Sequence, residues 1–482
     1  VYLGIDIGTS GVKAVLVDPE QAIVDQATAP LTVQRPKQLW SEQNPQDWWV
    51  ATCTAVKSLD PFKRSGVKAI GLSGQMHGAT CLDARDHIIR PAILWNDGRS
   101  AAECAQMMED MPSLPDVAGN LAMPGFTAPK LVWMRAYEPD NFSKIAKVLL
   151  PKDYVRLLMT GDYASDMSDS AGTLWMDVKA RAWSDDILAL TDLKRGQMPE
   201  LFEGSAPTGN LTAEIAADWG VPLVPVAAGG GDNAAGAVGS GTVSHGDGFL
   251  SLGTSGVIFL ADQGYRPNPK SAVHTFCHAL PGMWHQMSVM LSAASAVDFA
   301  AKITGFAQPA DLYAAAEDVN QPSENLYFLP YLSGERTPHN NPSAKGAFFG
   351  LTHADNKNTL AQAALEGVAF ALADGLDALR QAGAEVKELS VIGGGARSHY
   401  WGKILASTFG IRLHYRGGAA VGPAFGAARL ARLSVNGENP ADICTPPDIE
   451  ITIAPDDRLS ELYASRRTIF QSLYENTQEL MK

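Results

Sequence analysis

The sequence predicts an α/β protein of two duplicated lobes with a cleft between them. Three observations lead there. The segment Tyr2-Leu-Gly-Ile-Asp-Ile-Gly8-Thr9-Ser10-Gly11-Val12 runs into apolar Ala14 to Val17, and 245 residues after Gly8 the segment Phe249-Leu-Ser-Leu-Gly253-Thr254-Ser255-Gly256-Val257 runs into Ile258 to Leu260. Each copy reads as a strand, a Gly-Thr-Ser-Gly turn and a strand, a β-hairpin whose glycines are expected at positive φ. The chain has 482 residues, more than one hydrophobic core usually supports, so an internal repeat implies two lobes. Strand-like apolar runs alternate with helical patterns in both halves.

In chain order, the first lobe opens on the hairpin around Gly8 to Gly11. Asn44-Pro45 sets a capping residue before Pro at the first helical position and starts a helix. Val67 to Leu72 is an apolar strand ending in Ser73-Gly74-Gln75-Met76-His77-Gly78. Ala128 to Trp133 and Pro151 to Met159 read as helices, the second stopped by Gly161. The lobe closes with the run Val221 to Ala228 and with Gly229-Gly-Gly-Asp232-Asn233, which opens a helix of small residues.

The second lobe starts at the second hairpin. A helix from Asn358 to Arg380 presents Leu365, Val368, Leu372, Leu376 and Leu379 as one apolar core stripe. The strand Leu389 to Ile392 enters Gly393-Gly-Gly-Ala-Arg397-Ser398, a helix follows from His399 to Thr408, and Gly422-Pro-Ala-Phe-Gly426 begins a second small-residue helix. Two helices of Gly and Ala allow close backbone approach, which suits a hinge between lobes. The lobes are expected at 1–241 and 242–482. Between hairpin and small-residue helix the first is about 55 residues longer, room in which substrate specificity could reside.

A formal charge of −14 argues against sequence-independent binding to nucleic acid or an anionic membrane. It leaves a nucleotide open, because backbone amides and a metal ion can hold phosphates. Cys53, Cys81, Cys104, Cys277 and Cys444 form no Cys-x-x-Cys pair, the pattern of reduced thiols. No apolar run approaches the ~18 residues of a membrane span, and the chain opens on the strand Val1 to Asp6 without a signal-peptide pattern. A cytoplasmic location is the expectation.

Both turns expose successive backbone N–H groups beside hydroxyls, so Gly8, Thr9, Ser10, Gly253 and Thr254 are candidate phosphate ligands. Asp6, two residues before the first turn, could hold Mg²⁺ against phosphate or merely cap its own turn; its counterpart Ser251 is uncharged. Asp232 suits a general base in phosphoryl transfer and equally suits an N-cap. Asn233 could orient the acceptor's hydroxyls. Met76 and His77 lie between glycines just past a strand end, where His77 is either structural or a contact for a sugar hydroxyl. Trp95-Asn-Asp-Gly-Arg99 could line the same pocket or form a surface turn. Gly394, Gly395, Ala396 and Ser398 lie between strand and helix, a place for a nucleotide, although neither a dinucleotide fingerprint nor a Walker A motif is present. His274-Thr-Phe-Cys-His278 has a spacing a metal could use but lacks further ligands nearby.

With both hairpins, both small-residue helices and the Gly393 turn in hand, the chain resembles the sugar kinases of the FGGY family, within the wider actin, hexokinase and Hsp70-like ATPase (ribonuclease H-like) fold. Gly125-Phe-Thr-Ala-Pro-Lys130-Leu-Val-Trp133 is similar to one family signature, and Gly346-Ala-Phe-Phe-Gly350-Leu351 through Glu366 to the other. Ala136, Tyr137 and Thr359 depart from the usual polar or acidic residues. The resemblance implies a sugar-binding first lobe, ATP and Mg²⁺ bound largely to the second, interlobe closure and a homodimer. Gly74 to Gly78, Trp95 to Arg99 and Gly231-Asp232-Asn233 are most similar to the members that phosphorylate D-xylulose. That implies Asp232 as base on the 5-hydroxyl, Met76 and His77 as sugar contacts, and Asp6 as a residue for metal and phosphate. Members acting on ribulose, gluconate or glycerol differ only in the first-lobe pocket. A non-catalytic ATP-switched module would share only the fold.

Overall fold

The computed structural model describes residues 1–319, 325–417 and 422–481. Each half builds a seven-stranded sheet, and the two sheets follow one plan. In the first, Tyr2–Ile7 pairs antiparallel with Gly11–Val17, which pairs with Ile23–Pro30; on its other side lie parallel Ile70–Gly74 and Pro225–Ala227, then antiparallel Pro207–Asn210. In the second, Gly248–Leu252 takes the central place. Gly256–Asp262 and Trp284–Met290 follow on one side, with Glu388–Ile392, Arg412–Arg416 and antiparallel Ile449–Ile453 on the other. His274–Cys277 adds an edge strand that the first sheet lacks.

Local sequence accounts for most element ends. The Asn44 side chain accepts from the Gln46 amide with Pro45 at the first helical position, and Pro151–Thr160 stops at Gly161 with φ +82°. Lys357–Gln381 runs as one helix of 25 residues, its apolar stripe wholly buried. Two strands are shorter than the apolar runs that foretell them. Val67 and Ala69 are buried, but the strand begins at Ile70. Of Val221 to Ala228 only Pro225–Ala227 is strand, since Pro222 lacks a ladder donor and Leu223 faces solvent.

The hairpin glycines differ from expectation. None of Gly8, Gly11, Gly253 and Gly256 is among the described glycines of positive φ. Space is the reason for two of them: a Cβ at Gly11 would lie 2.8 Å from the Ala29 carbonyl oxygen, and one at Gly256 2.8 Å from Leu372 Cδ2.

The small-residue helices, Asp232–Ser240 and Pro423–Asn436, cross in direct backbone contact. A Cβ at Gly426 would fall 1.7 Å from the Ala235 carbonyl oxygen. Pro423–Asn436, from the second half, lies on the sheet of the first, so a Cβ at Gly4 would fall 1.9 Å from the Ala424 carbonyl oxygen. Ala237 of the first helix joins Phe249 and Phe259 of the second sheet in one core. The Arg429 guanidinium donates to the carbonyls of Val238, Gly239 and Thr445 and to Gln21, tying this crossing together. The longer first half packs Phe126, Leu131 and Trp175 against Phe259, Phe276 and Met287 of the second sheet. A cavity opens beside that wall.

Candidate active site

Met76 and His77 leave the end of strand Ile70–Gly74, and Asp232 and Asn233 open the helix after strand Gly230–Gly231, which pairs beside it. The topology therefore brings four expected residues to one cavity of about 250 Å³, with Trp95 at its edge; Phe126, Ser255, His274 and Arg336 also line it.

His77 is held in a left-handed conformation, φ +69°, a strained geometry for a non-glycine residue that the surroundings must impose. Its carbonyl accepts from Lys130 Nζ at 2.7 Å and Thr127 Oγ1 at 3.2 Å. Its Nδ1 meets the Gly172 carbonyl oxygen at 2.6 Å. That oxygen can only accept, so Nδ1 carries the proton and Nε2 is left as an acceptor. Burial, reinforced by the Lys130 charge, pushes the imidazole down to about 3, and the ring is neutral.

Asp232 is the first residue of its helix and Gly231 holds the N-cap position, so its carboxylate is free of the capping role. Oδ1 accepts from the Asn233 amide at 2.7 Å and from Asn233 Nδ2 at 2.9 Å. Withdrawal from solvent pushes the carboxyl up to about 7, and the nearby Asp6 charge adds to the rise. Asp6 is the last residue but one of the first strand, opposite Ser73, and burial pushes it up to about 6. Its Oδ1 is buried with no hydrogen-bond partner, so it does not cap its own turn. Behind Asp232, fully buried Lys152 Nζ reaches Asp153 at 2.5 Å, Asp166 at 2.8 Å and Asp169 at 3.3 Å. Ser168 Oγ, bonded to Asp166, accepts from the Gly231 amide and anchors the turn that leads into Asp232.

The first hairpin is braced by a chain of side-chain hydrogen bonds. Trp95 Nε1 donates to Thr9 Oγ1 at 3.0 Å, Thr9 Oγ1 to Gln75, Gln75 to Gln43, and Gln43 back to the Thr9 carbonyl. Asp97 and Arg99, expected at the pocket, are instead buried in an ion pair, with Arg99 stacked over Trp40. Their charges need each other more than a ligand.

A larger cavity of about 810 Å³ is lined by Gly253, Thr254, Gly394, Gly395 and Ser398, with Tyr313 and Tyr400. Ser398 also caps helix His399–Phe409 through the Trp401 amide. Ala396 lies in the same short turn, its side chain outside what is described. Thr254 docks on the start of helix Ala294–Ile303, its carbonyl accepting from the Ala293 amide and Ser295 Oγ. The second hairpin thus separates the cavities, Gly253 and Thr254 facing one and Ser255 the other. Gly8, Thr9 and Ser10 line neither. The histidine pair serves two ends: His274 bonds Asn120 and faces the smaller cavity, while His278 bonds the Thr242 carbonyl.

Two sheets of one plan thus carry, side by side, a carboxylate-bearing cavity and a glycine-lined one, a duplicated two-domain α/β fold with a two-part site. Residues 1–239 match the FGGY family of carbohydrate kinases, N-terminal domain, and residues 248–435 its C-terminal domain. The chain belongs to the FGGY family of carbohydrate kinases. It is 54% identical over 483 residues to the xylulose kinase of Escherichia coli (strain K12) and 53% identical over 486 residues to that of Klebsiella pneumoniae, covering 100% of each chain in both cases. A crystal structure of a xyloylose kinase from Brucella ovis superposes with a TM-score of 0.97 at 51% identity, covering 99% of both chains.

Proposed function

We propose that this chain transfers the γ-phosphoryl group of ATP to the 5-hydroxyl of D-xylulose. The observation that supports it most is the placement of Asp232, raised to about 7, in a sugar-sized cavity separated by one phosphate-type hairpin from a nucleotide-sized one. Residues 1–241 supply the carboxylate-bearing side of the sugar site, and residues 242–482 supply its other wall, with Ser255, His274 and Arg336, and most of the nucleotide site. Met76, His77, Trp95 and Asn233 hold the sugar, His77 accepting from a hydroxyl through Nε2. Gly253, Thr254 and the Gly394 to Ser398 turn hold the phosphates and adenosine, and closure of the hinge brings Gly8, Thr9 and Ser10 onto the phosphates.

In the transfer, the O5–phosphorus bond forms as the phosphorus–oxygen bond to ADP breaks, and the O5 proton passes to Asp232 and then to solvent. A carboxyl near 7 is matched to that task at neutral pH, and its greater contribution is positioning. The unpartnered Oδ1 of Asp6 fits Mg²⁺, a hard cation that prefers one or two carboxylates plus phosphate oxygens; when bound with ATP it screens phosphate charge. The enzyme is expected to be a cytoplasmic homodimer. Among the described residues no helix is long and apolar enough to cross a membrane.

A coupled ADP assay across D-xylulose, ribulose, gluconate and glycerol tests the reading. D-Xylulose should give the highest kcat/KM; negligible turnover with it beside strong turnover with another acceptor would refute the choice of sugar.

A further inference from the structure

The smaller cavity holds one charged side chain besides Asp232 among its described lining residues, Arg336. Both lining histidines are neutral: His77 for the reasons above, and His274 because burial and the Arg336 charge drive it well below its ordinary value. Arg336 is fixed from both sides. The Thr337 amide donates to the Val289 carbonyl at 3.1 Å, and Thr337 Oγ1 accepts from the Val289 amide at 3.1 Å. Glu335 Oε1 accepts from the amides of Leu291 at 2.9 Å and Arg336 at 2.7 Å.

Its guanidinium is aimed by a chain of defined direction. Asn120 Nδ2 donates to the carbonyls of Ala118 and Thr275, so Asn120 Oδ1 is an acceptor. It receives His274 Nδ1–H at 2.9 Å. His274 Nε2 is then left to accept from Arg336 Nη1 at 3.2 Å. One of five N–H donors is used in this way, and others remain for a ligand in the cavity.

Resting on the proposed reaction, the acceptor is a 2-ketopentose phosphorylated at O5. Closing such a sugar to its furanose joins O5 to C2, so only the open chain offers a free O5, and in it C2 is a carbonyl. We infer that Arg336 donates to the C2 carbonyl of the open-chain ketose and selects ketose over the pentitols made by reducing C2. A guanidinium can only donate and a carbonyl can only accept. A pentitol hydroxyl brings an extra proton, and the acceptor beside Arg336, His274 Nε2, is already taken.

The test compares unsubstituted enzyme with Arg336→Met and Arg336→Gln. The apparent KM for D-xylulose and the inhibition constants of xylitol and D-arabinitol are read on each preparation. Their ratio is independent of the folded fraction, so partial unfolding does not obscure it. Loss of a charge-assisted hydrogen bond should weaken D-xylulose binding about 10- to 100-fold, while the pentitols, whose hydroxyl proton finds no acceptor beside Arg336, change less than about threefold. An unchanged ketose-to-pentitol ratio, with normal D-xylulose turnover in the unsubstituted enzyme, overturns the role of Arg336 alone. No D-xylulose turnover in the unsubstituted enzyme overturns the proposed function and this inference with it.

Discussion

At the residue scale, the proposed chemistry turns on two carboxyls, Asp232 and Asp6, that the fold holds away from water. Asp232→Asn keeps the shape and removes the base, and kcat for the sugar should fall about 10²- to 10⁴-fold, read in the coupled assay. Because Asp232 in the free enzyme is raised to about 7, kcat/KM should climb along a limb near that pH as the carboxyl ionises. Stability runs the other way. The folded carboxyl holds its proton up to about 7 against an ordinary 3.8, so ionising it costs folding stability, a cost absent below about pH 4 and complete above about pH 7. Asp232→Asn should therefore melt about 1–2 °C higher at pH 8 for each kcal/mol relieved, with no gain at pH 4; a variant that melts lower at pH 8 counts against the raised carboxyl. That Met76, His77, Asp232 and Asn233 line one cavity was legible because each lies at a strand end among glycines, where backbone geometry leaves room for a ligand. Arg336, His274 and Asn120 were not. They meet only because a strand edge, a loop and the longer first half converge, and no local spacing encodes that convergence. Asp97 and Arg99 misled for the same reason: their sequence neighbourhood suited a sugar, yet Trp40 and each other were the partners.

At the scale of elements, the duplicated hairpin and the pair of small-residue helices were readable because they are local patterns. Glycine's reason for being there was not, since φ and free space look alike in sequence. At Gly11 and Gly256 space decides. The same holds where the two small-residue helices cross. A methyl at Gly426 would overlap the Ala235 carbonyl, and one at Gly4 the Ala424 carbonyl, and both obstacles are backbone. Gly426→Ala should thus cost at least about 1–3 kcal/mol, the usual penalty of overpacking, measured by denaturant unfolding. Arg429→Ala removes donors to carbonyls from both sides of the crossing and should cost a similar amount by leaving those buried acceptors unpaired. A neutral result for Gly426→Ala would mean that the helices can separate there without penalty.

At the scale of the molecule, the second hairpin faces both cavities while the first lines neither, so one half of the phosphate clamp stands off the cleft. Phosphoryl transfer needs reacting atoms about 3–3.5 Å apart, and the proposed function therefore requires the lobes to rotate about the crossed helices and bring the first hairpin in. If sugar and nucleotide both favour the closed arrangement, each must strengthen the other by one common factor, because the coupling free energy belongs to the pair. Calorimetry with a non-hydrolysable ATP analogue should find D-xylulose tightening the analogue about 5- to 150-fold, the usual span of such coupling, and the analogue tightening D-xylulose by the same factor. A factor of one in both directions would mean that the cleft does not close on its ligands, and the first hairpin's part in phosphate binding would fall with it. A hinge loosened by Arg429→Ala should reduce the factor in both directions equally, leaving the affinity for each ligand alone largely as it was.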